Sequence, residues 1–450
     1  MHQLTILHTN DLHSQLDQWP YVTSLIKQKR QEALERGDDV LLFDIGDHSD
    51  RANPITEGLM GRGNVELLNA MNYDAVTIGN NEGITFSKQQ LNDLYQDATF
   101  EVLLGNLYDD DKRATWCKPS TTYTLQNGTT IGVIGVTIPF YSFYDRLGWK
   151  ATDAAEAIAE EIERLQDCDF LILLSHLGLS TDEQLATDYP KLDLILGSHT
   201  HHILENGKKV NRTWINQCGR SGTHLGEVTV QFDPSYKEIR VVSHPVVDVE
   251  EDAETTKLLE KLERESAKSL NEEIAEIEER LAVDWYEPSP FTTLLGEALT
   301  EWCEADLSMV NAGVLLDSIQ HGAVTKRMLH QICPHPINPA KVRVKGETIL
   351  QVIEESASKD MVHLKLHGFG FRGKVVGYTY FDHVTQKGDT FYIRGEQLEL
   401  HKDYTLATLD MYTFSPLYPV LQAQEARYYM PEFLRDVLAW KLKQQVIKPS

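Results

Sequence analysis

Cysteine is scarce in this 450-residue chain. Cys117, Cys168, Cys218, Cys303 and Cys333 are odd in number, widely spaced and contain no Cys-x-x-Cys pair. That excludes a disulfide-stapled fold and a thioredoxin-type redox motif, so reduced thiols in a cytoplasm are expected. Long apolar runs are missing too. None reaches the roughly 18–20 residues a membrane helix needs, and no membrane association is expected. Met1-His2-Gln3 leads straight into the first apolar stretch, without a charged region, an apolar region or a cleavage site. A cytoplasmic location is therefore expected. Positive charge is the third shortage. Lys and Arg number 42 against 68 Asp and Glu, a formal net charge of -26, which argues against nucleic acid or anionic lipid as a partner. A small molecule remains, and an anionic one would need local cations to attract it.

What is present is a series of short polar breaks, each closing an apolar run. His8-Thr9-Asn10-Asp11-Leu12-His13 follows Leu4 to Leu7, and Asp44-Ile45-Gly46-Asp47 follows Val40 to Phe43. Gly79-Asn80-Asn81-Glu82 closes Ala75 to Ile78, Ser175-His176 ends Phe170 to Leu174, and Gly197-Ser198-His199-Thr200-His201 ends Leu194 to Leu196. Apolar runs this short, split by segments of helical spacing such as Val22, Leu25, Ile26 and Leu34, read as buried strands of an α/β architecture. The carboxyl ends of such strands form a ligand-binding edge. Asp11, His13, Asp47, Asn80, His176, His199 and His201 are all oxygen or imidazole donors, a set suited to two divalent metals of the manganese, iron or zinc kind. A carboxylate can give one oxygen to each cation, and Asp47 is the expected bridge.

The order Asp-x-His, Gly-Asp, Gly-Asn, Ser-His and Gly-Ser-His-x-His resembles the calcineurin-like metallophosphoesterases. Leu7-His8-Thr9-Asn10-Asp11-Leu12-His13 narrows this to the 5'-nucleotidase and UDP-sugar hydrolase branch. The resemblance implies a four-layer αββα sandwich followed by a 5'-nucleotidase-type α/β domain. It implies one metal held by Asp11, His13, Asp47 and His201, and another by Asp47, Asn80, His176 and His199. It also implies in-line attack of metal-held hydroxide on a phosphate monoester or diphosphate of a nucleotide-like metabolite. Asp44 and Glu82 read as supports for the ligands rather than ligands, and His8 as strand packing.

The expected domains are 1–249 for the dimetal half, a linker helix over 250–283, and 284–450 for substrate recognition. The linker reading rests on Leu258, Leu259, Leu262, Leu270, Ile274, Ile277 and Leu281 at roughly helical spacing. Closing antiparallel strands are expected before it, with a turn near Asp233-Pro234-Ser235. In the second half Asn311-Ala312-Gly313 resembles the Asn-x-Gly segment of the family. By the same resemblance Asn311, Gly313, His335 and Phe414 are the candidate substrate-binding residues, with His335 at the place of a base-stacking Phe.

Two departures set this chain apart. The family follows Gly-Asn with a His that stabilises the transition state or protonates the leaving group, whereas here the position is Asn81, which cannot titrate. General acid help is worth roughly 10²–10⁴-fold. A slower enzyme, a preference for good leaving groups, or a substitute among His48, Arg51, Arg220, His202 and His224 is expected. The arginines that grip phosphate in the family's second domain are also absent. The alternative is a metal- or nucleotide-binding relative with little turnover, acting as a sensor or partner-binding protein.

Overall fold

A computed structural model describes residues 2–233, 236–422 and 424–447. The chain divides into two compact units, Met1–Ser266 and Ala267–Ser450. The first is built on two six-stranded sheets. One runs in the order Tyr236–Pro245, His224–Asp233, His2–Thr9, Asp39–Asp44, Ala75–Val76, Glu101–Val102, and its last four strands are parallel. The other runs Lys208–Val210, Thr213–Asn216, Leu194–Gly197, Phe170–His176, Thr130–Thr137, Ser120–Thr124, with its middle four parallel.

Strand alternation decides how these sheets stack. Ile172 and Leu174 join Leu4, Ile6, Phe43, Val133 and Val228 in the layer between the sheets. Leu171 and Leu173 face the other way, onto Ile158, Ile162 and Leu185 of the helices Ala154–Arg164 and Leu179–Asp188. The helix Trp19–Arg36 is another helix of this unit, and Trp19, Val22 and Ile26 are fully buried in it. Strands buried on both faces must be apolar throughout, which is why runs such as Phe170 to Leu174 carry no polar residue. The result is the four-layer αββα sandwich. Pro234 and Ser235, the expected turn, lie outside the described residues, but the strands on either side pair antiparallel from Asp233 with Tyr236 to His224 with Pro245.

The second unit has a five-stranded sheet in the order Thr379–Asp382, Leu307–Asn311, Asp403–Leu409, Pro339–Lys345, Ala426–Tyr428. The helices Pro290–Cys303 and Leu434–Ile447 contribute Leu295, Leu299, Leu438 and Leu442 to its core. The linker helix is shorter than expected. It spans Ala253–Leu270, and Glu273–Ile277 is instead a strand pairing with Gly322–Thr325. The apolar residues Ile274 and Ile277 fit a helical row and a short strand equally well, and the β-branched pair settles as strand because a partner edge is available. Among the described residues no helix is long and apolar enough to cross a membrane.

Candidate metal centre

All seven candidate ligands sit at the carboxyl ends of parallel strands. Asp11 and His13 follow His2–Thr9, Asp47 follows Asp39–Asp44, and Asn80 opens the helix Asn80–Thr85 after Ala75–Val76. His176 ends its own strand, and His199 and His201 follow Leu194–Gly197. Backbone hydrogen bonds lace these loops together: Asp11 N donates to Gly46 O at 3.0 Å, His13 N to Asp47 O at 2.8 Å and Ser14 N to His48 O at 2.9 Å. Asp11, His13, Asp47, His199 and His201 hold φ between 48° and 72°, a left-handed region costly for residues with a Cβ and concentrated at functional sites. Gly79 permits the closest approach. A Cβ there would lie 2.0 Å from Asp47 Oδ1 and 2.5 Å from His176 Cε1.

The donor atoms converge. Asp47 Oδ2 is 3.7 Å from His13 Nε2 and 3.6 Å from His176 Nε2. Asp11 Oδ1 is 3.4 Å from His201 Nε2, and the Nε2 atoms of His13 and His201 are 3.1 Å apart. Asn80 Oδ1 and His199 Nδ1 lie 2.9 Å apart. Asp11, His13 and His201 form one group close enough to share an ion, and Asp11, Asp47 and His176 another. Asp11, Asp47 and His176 are buried, while His13, His199 and His201 reach partly into solvent.

The surroundings fit divalent cations. His176 Nδ1 lies 2.8 Å from Ile45 O, an arrangement that keeps a proton on Nδ1 and turns Nε2 toward Asp47. Among the described residues that buried Nε2 has no hydrogen-bond partner, and the carboxylate of Asp47 faces it at 3.6 Å. Burial opposes charge on Asp47, but the neighbouring His176 and His13 hold its carboxyl below the usual range. Burial likewise opposes the His176 imidazolium, yet Asp47 and then Asp11 push it up to about 10. The pair holds a positive charge between its members, a proton on Nε2 whose place a divalent cation would take. Burial, with the positive charge of His176, pulls His199 down to about 4, so its ring stays neutral and able to ligate.

Glu82 organises the loops. It accepts from Asp47 N and Gly79 N at 2.9 Å each, from Ser49 N at 2.8 Å and from Ser49 Oγ at 2.7 Å. Burial and the Asp47 charge push its carboxyl up, but four convergent donors favour the ionised form, and the geometry decides for it. Asp44 accepts from Thr9 Oγ1 at 2.6 Å and Gly46 N at 3.1 Å, with burial raising its carboxyl well above the ordinary value. His8 is fully buried beside Asn216, 2.9 Å from its Nδ2, and burial pulls its ring down to about 3.

Asn81 is turned onto the ligands. Its backbone N–H donates to Asp47 Oδ1 at 2.7 Å, and its Nδ2 donates to Asp47 Oδ2 at 2.8 Å while lying 3.1 Å from His13 Nδ1. Most of the candidate substitute acids are engaged elsewhere. Arg51 pairs with Glu57 at 2.8 Å, His202 Nδ1 lies 2.9 Å from Thr200 Oγ1, and His48 is buried against Trp19 with its pKa down at about 3.

The expected substrate residues of the second unit separate into two kinds. Asn311 is fully buried, donating to Val376 O and accepting from Tyr412 Oη, both at 2.7 Å. Gly313 is buried with its N–H on Val376 O at 2.9 Å. His335 is also fully buried: its Nε2 is 2.9 Å from Val314 O, its Nδ1 accepts from Arg372 N at 2.8 Å, and its ring stacks on Phe371 at 5.4 Å. These three shape the unit's interior, and no face of His335 is open to a base. Phe414 is different. It is 41% exposed and lies 6.1 Å from the ring of Phe369, itself 39% exposed. Phe369 was not among the sequence candidates, although its setting, Gly368-Phe369-Gly370, marks an aromatic turned outward by its backbone.

The sequence pattern of the calcineurin-like phosphoesterases matches residues 4–202, and that of the 5'-nucleotidase C-terminal domain matches residues 271–415. An uncharacterised metallophosphoesterase of Bacillus subtilis, YunD, is 43% identical over 98% of this chain and 99% of its own length. Protein UshA of Yersinia enterocolitica is 24% identical over 91% of this chain and 85% of its own. In fold, the chain is similar to the NAD nucleotidase of Haemophilus influenzae, with a TM-score of 0.70 at 17% identity, covering 99% of this chain and 96% of that one.

Proposed function

The chain belongs to the calcineurin-like metallophosphoesterases, with a 5'-nucleotidase C-terminal domain behind the phosphoesterase half, and on that footing we propose that it hydrolyses a phosphate monoester or diphosphate of a nucleotide-like metabolite. The observation that carries this reading is the buried Nε2 of His176, without a hydrogen-bond partner among the described residues, facing Asp47 within a cluster of carboxylate and imidazole donors. Asp11, His13, Asp47 and His201 would hold one divalent cation, and Asp47, Asn80, His176 and His199 a second. Manganese, iron and zinc suit these donors. Such a pair lowers the pKa of a water and neutralises charge on the phosphoryl oxygens.

The chain's own residues do the rest. Glu82 fixes the backbone of Asp47, Ser49 and Gly79, so the ligand loops are in place before substrate arrives. Asn81 holds both oxygens of Asp47 and gives no proton to the leaving group. The reaction therefore favours leaving groups that depart as anions, such as the phosphate side of an anhydride. Within the second unit Phe369 and Phe414 form an exposed aromatic pair with flat faces. A cytoplasmic setting is supported by five unpaired cysteines, three of them buried.

Purified protein is to be assayed on a nucleotide and nucleoside-diphosphate panel and on p-nitrophenyl phosphate, with and without chelator and with added manganese. Chelator-sensitive turnover is expected. Metal uptake without turnover on any substrate would favour the second reading, a binding protein, which Asn81 in place of an acid motivates.

A further inference from the structure

The helix-facing side of the second sheet changes character one step before the metal centre. Leu173, Ile195 and Ile215 lie on that face and pack with Ile158, Ile162 and Leu185 of the covering helices. Two residues further along each chain, the same face carries Ser175, Gly197 and Gln217. Ser175 and Gly197 are neighbours in register, and Gln217 directly follows Asn216, which pairs beside Leu196. Over this row the helix Leu179–Asp188 lays the fully buried carboxyl of Asp182. Its Oδ1 accepts from Ser175 Oγ at 2.5 Å, and its Oδ2 accepts from Gln217 Nε2 at 3.0 Å. Burial pushes this carboxyl up to about 7, against the pull of those two donors and of His176.

Both arms of the carboxyl end on ligand loops. Ser175 immediately precedes His176. Gln217 Oε1 accepts from Thr200 Oγ1 at 3.4 Å, and that hydroxyl, between His199 and His201, accepts in turn from Leu179 N at 3.0 Å. One helix therefore holds the loops of three candidate imidazole ligands. Gly197 leaves the room for it. A Cβ there would lie 2.2 Å from Asp182 Oδ2 and 2.7 Å from Gln217 Nε2, which gives the glycine of Gly197-Ser198-His199-Thr200-His201 its reason. A buried carboxyl costs stability that one more apolar row would not. A buried polar network whose members are all hydrogen-bonded fixes a single arrangement in return.

We propose that Asp182 is a positioning residue of the metal centre, bracing through Ser175 and Gln217 the loops that carry His176, His199 and His201. The inference rests on the metal-centre part of the hydrolase reading. The cation assigned to Asp47, Asn80, His176 and His199 takes two ligands from braced loops, and the other cation takes only His201. Loss of the brace loosens the first more than the second.

Cation binding is read directly, by calorimetric titration of the chelated protein with manganese and with zinc, for the wild type, Asp182→Ala and Asp182→Asn. Asp182→Ala is expected to weaken one of the two sites about 10- to 100-fold. Asp182→Asn keeps the bonds of the network once the Gln217 amide turns over, and wild-type affinity is expected. Equal losses in the two variants would make the charge rather than the brace responsible and overturn the proposal. Wild-type affinity in Asp182→Ala overturns it too. Ser175→Ala and Gln217→Leu each remove one arm and decide the question if Asp182→Ala does not fold. Weaker binding is expected in each, and unchanged binding in both overturns the brace. A wild type that takes up neither cation removes the metal centre itself, whereas two cations held tightly whatever stands at position 182 removes only the brace.

Discussion

At the scale of single residues, Asp47 has the most depending on it. It stands between His13 and His176, and both its oxygens are held by Asn81. Asp47→Ala is expected to abolish binding of both cations and to lower turnover by at least about 10³-fold, since the metal pair supplies most of the charge stabilisation. Elemental analysis beside the assay decides this, and wild-type turnover would remove the bridge. Asn81 gives a gain-of-function test. Asn81→His restores a titratable group, and nucleoside monophosphate turnover is expected to rise about 10-fold or more. No change would show that the leaving oxygen never needed a proton. Among these residues the convergence of the seven candidate ligands was legible because each pairs a special side chain with a strand end. Glu82 was legible only as a support, since nothing in Gly-Asn-Asn-Glu reveals four donors folding back onto one carboxylate. His335 misled, because a buried, stacked imidazole and a base-stacking one look alike in a string of letters.

At the scale of elements, the loop-to-helix junction at Gly79 is tightly packed against the ligands. Gly79→Ala forces a methyl group into the side chains of Asp47 and His176 and to within 2.5 Å of the Asp47 backbone N, which cannot yield. We expect a folded protein by circular dichroism with metal content cut by more than half; full metal loading would show that the junction gives way. The turn carrying Phe414 has a titratable anchor. Asp410 accepts from Asn338 N at 3.0 Å, and burial pushes its carboxyl up to about 7 against that bond and one from Met411 N. A carboxyl raised on folding favours the protonated native state, so its contribution is full below the unfolded value near 3.9 and is lost as pH rises toward 7. The slope is at most about 1.4 kcal/mol per pH unit. Asp410→Asn is therefore expected to flatten the decline in melting temperature from pH 4 to 7, and a parallel pH profile would refute it. Elements were legible where burial dictates composition, as in the strands Asp39–Asp44 and Phe170–His176. They were illegible where a tertiary edge decides, as at Glu273–Ile277.

At the scale of the whole molecule, a net charge of -26 surrounds a site for an anion. The overall field repels the substrate, and only local cations oppose it. Raising ionic strength from roughly 10 to 150 mM shortens the reach of that field to about 8 Å. On a nucleotide substrate kcat/KM is expected to rise with salt, and a fall would mean that the mouth of the site is locally positive after all. The sandwich and the order of the two domains follow from the first half's motifs and the second half's Asn311-Ala312-Gly313. The outward Phe369 does not, because exposure of an aromatic depends on loops whose course no periodicity encodes.

The backbone bonds from Asp11, His13 and Ser14 to the neighbouring loop tie the ligand loops to one another through the chain itself. Chelation is therefore expected to leave these loops in place, and readdition of a divalent cation to restore turnover. A chelated sample of this protein is accordingly a dormant enzyme rather than a damaged one.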